Sequence, residues 1–298
     1  WKKLQETVEV AIRGLDNVID INFYPTKEAK QSNLRHRPIG LGIMGTHGML
    51  HSLGVSYDSK EAVELCGKVQ EFISYYAILT SSKLAKERGV YESYEHSEWS
   101  YGNLPIDTYC RLIEHRGGDD SKASSFETME WDRVREHIAL HGMRNSNVMA
   151  IAPTATISYI QGCSQSIEPD YSVLFVYSTL SGEFTIINEH FVKMAKKKNI
   201  WCQQLVDALK AADGDVMAID LDEEIQQRFK SAFDVDSHTL ISAAAERQKW
   251  IDMGQSFNLY NKGTSLKYLN DMYLDCWEQG LKTTYYLRSK SATRVEKS

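Results

Sequence analysis

Apolar residues recur at helical spacing from Lys2 to Ile21, at Leu4, Val8, Ala11, Leu15, Val18 and Ile19. Steps of three and four place them on one face of a helix, and Pro25 falls beyond its end. After Pro38, the apolar run from Leu41 to Leu53 predicts a short helix. Asp58 and Glu61 have capping-box spacing, which marks a helix start. A long helix is therefore expected through Val63, Cys66, Val69, Ile73, Tyr76 and Leu79 toward Glu87, stopped near Gly89. Tyr91 to Thr128 has no such period and reads as loop, with charge and glycine from Arg116 to Asp120. Glu130 to Leu140 is amphipathic and ends at Gly142.

Val148 to Ala152 reads as a buried strand, and Val173 to Tyr177 as a second short one. Helices are expected over Ile187–Lys197, Trp201–Ala212, Asp222–Phe233 and Thr239–Met253. Near the end, strands at Ser256–Tyr260 and Leu281–Leu287 flank a helix from Ser265 to Glu278. No internal repeat or low-complexity linker divides the chain, so residues 1–298 read as one region. A few short buried strands among long helices predict an α/β layer or barrel.

Composition narrows the function classes. The 298 residues are 42% hydrophobic and 25% charged, which are globular values. A formal net charge of -6 argues against a general nucleic-acid binder. No apolar run approaches the roughly 18 residues of a spanning helix, so no membrane role is expected. Cys66, Cys110, Cys163, Cys202 and Cys276 are scattered and form no C-x-x-C pair. That pattern reads as a reduced, cytoplasmic protein without a disulfide framework, each thiol being structural by default. The chain opens on Trp1 inside a predicted helix, as a fragment or processed piece would.

Several stretches carry candidate chemistry. "GLGIMG", Gly40 to Gly45, matches G-x-G-x-x-G, but no buried strand precedes it. A dinucleotide fingerprint needs that strand, so close helix packing is the better reading. His137 and His141 stand four apart on one helix, yet the order is E-H-x-x-x-H and a helix-end role fits better than a metal. No metal ligand is assigned.

"IAPTATIS", Ile151 to Ser158, joins a strand to a helix through Pro153 and small hydroxyl residues. The first N–H groups of a helix lack internal partners and attract anions. Taken alone, the stretch reads more readily as an ordinary threonine or serine N-cap. Met143-Arg144-Asn145-Ser146-Asn147 upstream is dense in polar groups, and Ser166-Ile167-Glu168-Pro169 downstream sets a carboxylate before a proline, which is more than capping needs. In "LKTTYYLR", Leu281 to Arg288, adjacent Tyr285 and Tyr286 would point to opposite faces of a regular strand.

Taken in order, "NLRHRPIGLGIMG", "GMRNSNVMAIAPTATIS", "SIEP" and "GLKTTYYLR" resemble the large (α) subunit of aerobic class I ribonucleotide reductase, over nearly the whole chain. The resemblance implies a carboxy-terminal part of that subunit. The implied fold is part of a ten-stranded α/β barrel, mostly the second half-barrel, with many surrounding helices and no separate second domain. It places Pro153, Thr154, Ala155, Thr156, Ile157 and Ser158 around the phosphates of a ribonucleoside diphosphate. Tyr285 and Tyr286 become the large-subunit end of a radical relay, Tyr285 nearer the catalytic cysteine. If the two rings stack, the strand must depart from regular pleating.

The resemblance also implies partners: the amino-terminal part of the same subunit, a small (β) subunit carrying a dimetal centre, a second large subunit in a homodimer, and a thioredoxin- or glutaredoxin-type reductant. No cofactor would be bound directly by this piece. The family's thiyl-radical cysteine, its nearby asparagine and glutamate, and its redox cysteine pair belong before Trp1, and no N-x-C-x-E occurs here. The carboxy-terminal reducing pair would follow Ser298, and none of the five cysteines matches a catalytic position. Alone, the chain is expected to be inert. Other readings are an adenosylcobalamin-dependent reductase, which needs no tyrosine pair, a non-catalytic half of a split subunit, and a generic phosphate-binding α/β protein.

Overall fold

The computed structural model describes residues 1–117, 127–180, 182–263 and 265–289. Asp119 and Asp120 of the charged stretch lie outside the described residues. The first helix, α1, spans Lys2–Ile21 as its period requires. A second helix, α2 at Lys27–His36, was not legible from periodicity because it buries no residue. Its readable signal is Thr26, whose hydroxyl accepts from Ala29 N at 3.2 Å as an N-cap.

Helix α3 covers Thr46–Leu53 and does not extend back to Leu41. Leu41 is extended and bridges Met149 in parallel. A Cβ at Gly42 would stand 2.4 Å from the Ala150 carbonyl oxygen, so glycine permits this approach. Gly40 and Gly42 of "GLGIMG" thus serve close packing, but against an extended segment and not a helix, whereas Gly45 enters α3 with φ 83°.

Helix α4, Lys60–Arg88, is the long central helix. Ser59 caps it, accepting from Ala62 N at 3.1 Å. Asp58, the expected cap, instead pairs with Lys230 Nζ at 2.7 Å. The expected loop after Tyr91 contains a 3-10 turn at Glu98–Tyr101 and helix α5 at Pro105–His115. Pro105 occupies the first helical position, where its missing N–H costs nothing, and Asp107 accepts from Leu104 N at 2.7 Å. Helix α6, Trp131–His141, ends at Gly142 with φ 69°.

Short helix α7, Ile157–Gln161, follows the hydroxyl-rich turn. The strand expected at Val173–Tyr177 is one arm of a hairpin, β1 (Leu174–Thr179) against β2 (Gly182–Ile187). Helices α8 (Glu189–Lys197), α9 (Gln203–Ala211), α10 (Glu223–Arg228) and α11 (Ser237–Gln248) follow. Helix α11 stops before Met253 because Met253 N turns to donate to Met149 O at 3.2 Å. Strand β3 (Leu259–Asn261), helix α12 (Leu266–Glu278) and strand β4 (Leu287–Ser289) complete the order.

Hydrogen bonds join four extended segments. Leu41 N donates to Val148 O at 2.8 Å, and Ile151 N to Gly254 O at 3.2 Å. Ile151 bridges Gln255 in parallel, and β3 pairs with β4 in parallel, Leu259 opposite Leu287. Parallel neighbours separated by helices are the α/β arrangement. Among the described residues these contacts form isolated bridges and one two-stranded sheet, the β1–β2 hairpin being the other sheet, with no closed barrel. The expected buried strand Val148–Ala152 is instead an extended segment with isolated bridges at Met149 and Ile151; Val148, Met149 and Ile151 are buried, but Ala152 is exposed. The expected buried strand Leu281–Leu287 is not one: the regular strand begins at Leu287, and only Leu281 of that stretch is buried. Ahead of Leu287, Tyr285 N donates to Phe257 O at 2.8 Å and Tyr286 O accepts from Leu259 N at 2.9 Å.

Helix α4 centres the core, with Trp131 of α6 stacked on Trp250 at 5.5 Å and 5°. Buried Glu71 of α4 accepts from Thr128 N at 2.7 Å, Met129 N at 3.1 Å and Trp131 Nε1 at 3.0 Å. One carboxylate therefore fixes the entry to α6. Among the described residues, no helix is long and apolar enough to cross a membrane.

Candidate functional site

The polar run Arg144–Asn147 is absorbed by structure. Asp16, fully buried on α1, accepts from Arg37 Nε at 3.0 Å, Arg88 Nη1 at 2.9 Å and Asn145 Nδ2 at 3.2 Å. Arg144 Nε approaches the same carboxylate at 3.4 Å. Asp252 accepts from Val148 N at 2.9 Å and Met149 N at 2.7 Å, ending the strand's amides internally. These groups satisfy one another, as buried polar groups must.

The turn after this strand behaves differently. Thr154 adopts a left-handed conformation, φ 49°, which costs a β-branched residue about 1–3 kcal/mol. It is held there because its hydroxyl accepts from Ser166 N at 2.8 Å and its carbonyl from Ser158 N at 3.1 Å. Ser166 Oγ donates to Ala152 O at 2.8 Å, and Gln165 Nε2 to Pro153 O at 3.1 Å. The hydroxyl of Thr156 makes no capping bond, so an ordinary N-cap does not account for it. Ala155, Thr156 and Ile157 are exposed, and among the described residues their N–H groups have no acceptor. Pro153 is half-buried and Ser158 is buried beneath the turn.

At the other predicted site, Tyr285 and Tyr286 lie side by side. Their ring centroids are 4.0 Å apart and their hydroxyls 3.1 Å apart. Both rings are about half exposed, and the Arg288 guanidinium sits 4.6 Å over the Tyr286 ring. The hydrogen bond to Tyr286 raises the Tyr285 phenol above its ordinary pKa.

Glu168 connects the two. It follows Ser166, which holds Thr154, and its side chain is buried. Its carboxylate accepts from Asn258 N at 3.1 Å and Tyr260 Oη at 2.6 Å. Asn258 Oδ1 in turn accepts from Tyr286 N at 3.2 Å. Burial pushes Glu168 up to about 7, against the pull of Tyr260, the Asn258 amide and the Arg247 and Arg288 charges. Burial and Glu168 together push the Tyr260 phenol far above its ordinary value. Sequence reading marked Glu168 only as a carboxylate before a proline; Asn258 and Tyr260 gave no signal.

Helix α3 brings His47 and His51 beside Asp170, below a cavity of about 620 Å³. The H-x-x-x-H spacing of His47 and His51 is also that of His137 and His141. Those two have ring centroids 4.7 Å apart, and Ser82 Oγ lies 2.8 Å from His137 Nδ1. Among the described residues no third ligand joins them. Cys66, Cys110 and Cys276 are buried, as structural thiols should be, whereas Cys163 is half-buried and Cys202 exposed. Burial pushes Cys276 up to about 12.

The family model described as "Ribonucleotide reductase, barrel domain" matches residues 1–287. The chain is 53% identical over 298 residues to the ribonucleoside-diphosphate reductase subunit alpha of Chlamydia muridarum, covering 100% of this chain and 28% of that protein. It is 40% identical to the subunit alpha of Helicobacter pylori, covering 99% of this chain and 34% of that protein. With the large chain of Schizosaccharomyces pombe it shares 34% identity, over 100% of this chain and 35% of that protein. The chain thus spans about a third of the length of these relatives.

Proposed function

The chain belongs to the ribonucleotide reductase barrel-domain family, and on that premise we propose that it is the carboxy-terminal part of a ribonucleoside-diphosphate reductase large subunit. Its four parallel extended segments are read as part of a ten-stranded barrel, mostly the second half. The complete subunit reduces ribonucleoside diphosphates to deoxyribonucleoside diphosphates. A cysteine thiyl radical takes the ribose 3′ hydrogen, the 2′ hydroxyl leaves as water, and a cysteine pair supplies the electrons. Those cysteines belong to the remainder of the subunit.

This piece contributes two devices. The exposed amides of Ala155, Thr156 and Ile157 face an anion, with Pro153, Thr154 and Ser158 shaping the turn. A diphosphate fits there because fixed N–H donors need no reorganisation when the charge arrives. The Tyr285–Tyr286 pair carries the radical. With hydroxyls 3.1 Å apart, a hydrogen atom leaves one phenol as the other phenoxyl accepts it. The observation that carries this reading is the bonded path Thr154–Ser166, then Glu168–Asn258–Tyr286, which couples the turn to the tyrosines. The contacting phenols also favour it over an adenosylcobalamin-dependent reductase, where no relay is needed.

The partners follow: the amino-terminal part of the subunit, a second large subunit, a small subunit whose dimetal centre generates the radical, and a thioredoxin- or glutaredoxin-type reductant, all in the cytoplasm. The test is complementation. The chain is combined with the amino-terminal part and the small subunit, and deoxyribonucleoside diphosphate is measured. The chain alone forms none. Absence of product from the assembled enzyme, with each part folded and associated, overturns the proposal.

A further inference from the structure

We propose that His47, His51 and Asp170 form a binding site for one divalent first-row metal ion of the zinc class, opening onto the cavity between α3, the α7 turn and the hairpin. Nothing in the proposed reduction uses these residues, and the inference stands apart from it.

His47 and His51 are four residues apart on α3, so their rings share one face. Their centroids are 4.0 Å apart, and both residues are 1% exposed. Asp170 Oδ2 lies 3.3 Å from His47 Nδ1 and 3.8 Å from His51 Nε2. One donor atom from each residue lies within 4.8 Å of the others. Two metal–ligand bonds of about 2.1 Å hold their donors within about 4 Å, so closure needs only small side-chain shifts.

A second observation points to a ligand. Among the described residues, neither ring nitrogen of His51 has a hydrogen-bond partner, although the side chain is buried. Packing explains part of its setting, since its ring stacks on Phe229 at 4.6 Å. It does not explain two bare nitrogens beside a carboxylate. A buried imidazole is normally partnered, and a metal ion would take one of these lone pairs.

The surroundings suit coordination. Asn188 Nδ2 donates to Asp170 Oδ2 at 2.8 Å, orienting the carboxylate as outer-shell partners do. Asp170 N donates to His47 Nδ1 at 2.9 Å, so a lone pair already points toward Asp170. Coordination through that nitrogen exchanges this one bond for a metal bond. Asp170 also lines the cavity, which supplies an entry path and room for water as a further ligand. His190 lines it too, its ring 5.5 Å from that of His51. Two histidines, one carboxylate and an open position suit zinc or cobalt.

The test is titration of the chelator-treated full chain with Co²⁺ and Zn²⁺. One equivalent is expected to bind, cobalt giving the strong visible absorption of a low-coordinate site. His51→Gln and Asp170→Asn should each weaken binding at least tenfold while far-ultraviolet circular dichroism stays unchanged. No stoichiometric binding to the unaltered chain overturns the proposal, as does undiminished binding in both variants. Should the variants fail to fold, the cobalt-loaded unaltered chain decides. Paramagnetically shifted imidazole proton resonances support the site, and their absence overturns it.

Discussion

The hydroxyls of Tyr285 and Tyr286 stand 3.1 Å apart although the residues are adjacent in sequence. Neighbours on a regular strand point to opposite faces. The backbone shows how the rule is broken. Tyr285 N donates to the Phe257 carbonyl at 2.8 Å, but Tyr286 N donates to the Asn258 side chain at 3.2 Å. The Tyr286 carbonyl accepts from Leu259 N at 2.9 Å, so both tyrosines bond the same segment, and the regular strand register begins at Leu287.

Tyr285→Phe and Tyr286→Phe should each leave the fold intact. Both rings are half exposed, so the loss is about one hydrogen bond, roughly 0.5–1.5 kcal/mol. Turnover in the complete enzyme should fall far more, because phenylalanine cannot yield the electron and proton of a phenol. Circular dichroism, substrate affinity and product formation check this separately. Near-normal turnover in either variant removes that tyrosine from the relay.

Ala155 and Thr154 should respond differently. Ala155 is exposed, so Ala155→Trp should fold normally while a bulky ring blocks an anion from the amides. Thr154→Ala removes the acceptor of Ser166 N and should cost about 1–2 kcal/mol of stability, with weaker diphosphate binding as the turn relaxes. Equilibrium unfolding and nucleotide affinity in the assembled subunit distinguish them. Unchanged affinity in both refutes the phosphate cradle.

Glu168 should make stability depend on pH. Its folded pKa, about 7, lies above the ordinary 4.5, so the folded chain holds a proton that the unfolded chain releases. The stabilisation is complete below about 4.5 and is lost as pH rises through about 7. Glu168→Gln stays neutral throughout. Raising pH from about 5 to about 8 should therefore weaken the unaltered chain relative to this variant, on the order of 3 kcal/mol. Urea unfolding at the two pH values checks it, and parallel pH profiles contradict it.

Two glycines should give opposite signs. Gly42→Ala forces a Cβ to 2.4 Å from the Ala150 carbonyl oxygen and should destabilise by about 1–3 kcal/mol. Gly14 lies exposed within α1, with nothing within 4 Å of an added Cβ. Gly14→Ala should stabilise by about 0.5–1 kcal/mol through helix propensity. Thermal unfolding of both variants reads the difference.

Long amphipathic elements were legible because burial on one face leaves a period in the sequence. Helices α1, α4, α6 and α12 follow their apolar spacing, and Gly89 and Gly142 stop α4 and α6 as glycine stops do. The turn at Pro153 to Ser158 and the start of α7 were legible too, since proline and small hydroxyl residues act locally. Helix α2 was not, because with no buried residue it has no period to show. Short apolar runs suit either state: Leu41 pairs in extended form with the Val148–Ala150 segment, and Met253 N bonds Met149 O, so neither is helical. The side-by-side tyrosines depend on Asn258, and the link to the phosphate turn on Glu168, residues far apart in sequence. The neighbours of His51, Asp170 and Phe229, are likewise supplied from distant parts of the chain. Local chemistry is written in neighbouring residues, whereas a hydrogen bond across a hundred positions exists only once folding brings its ends together.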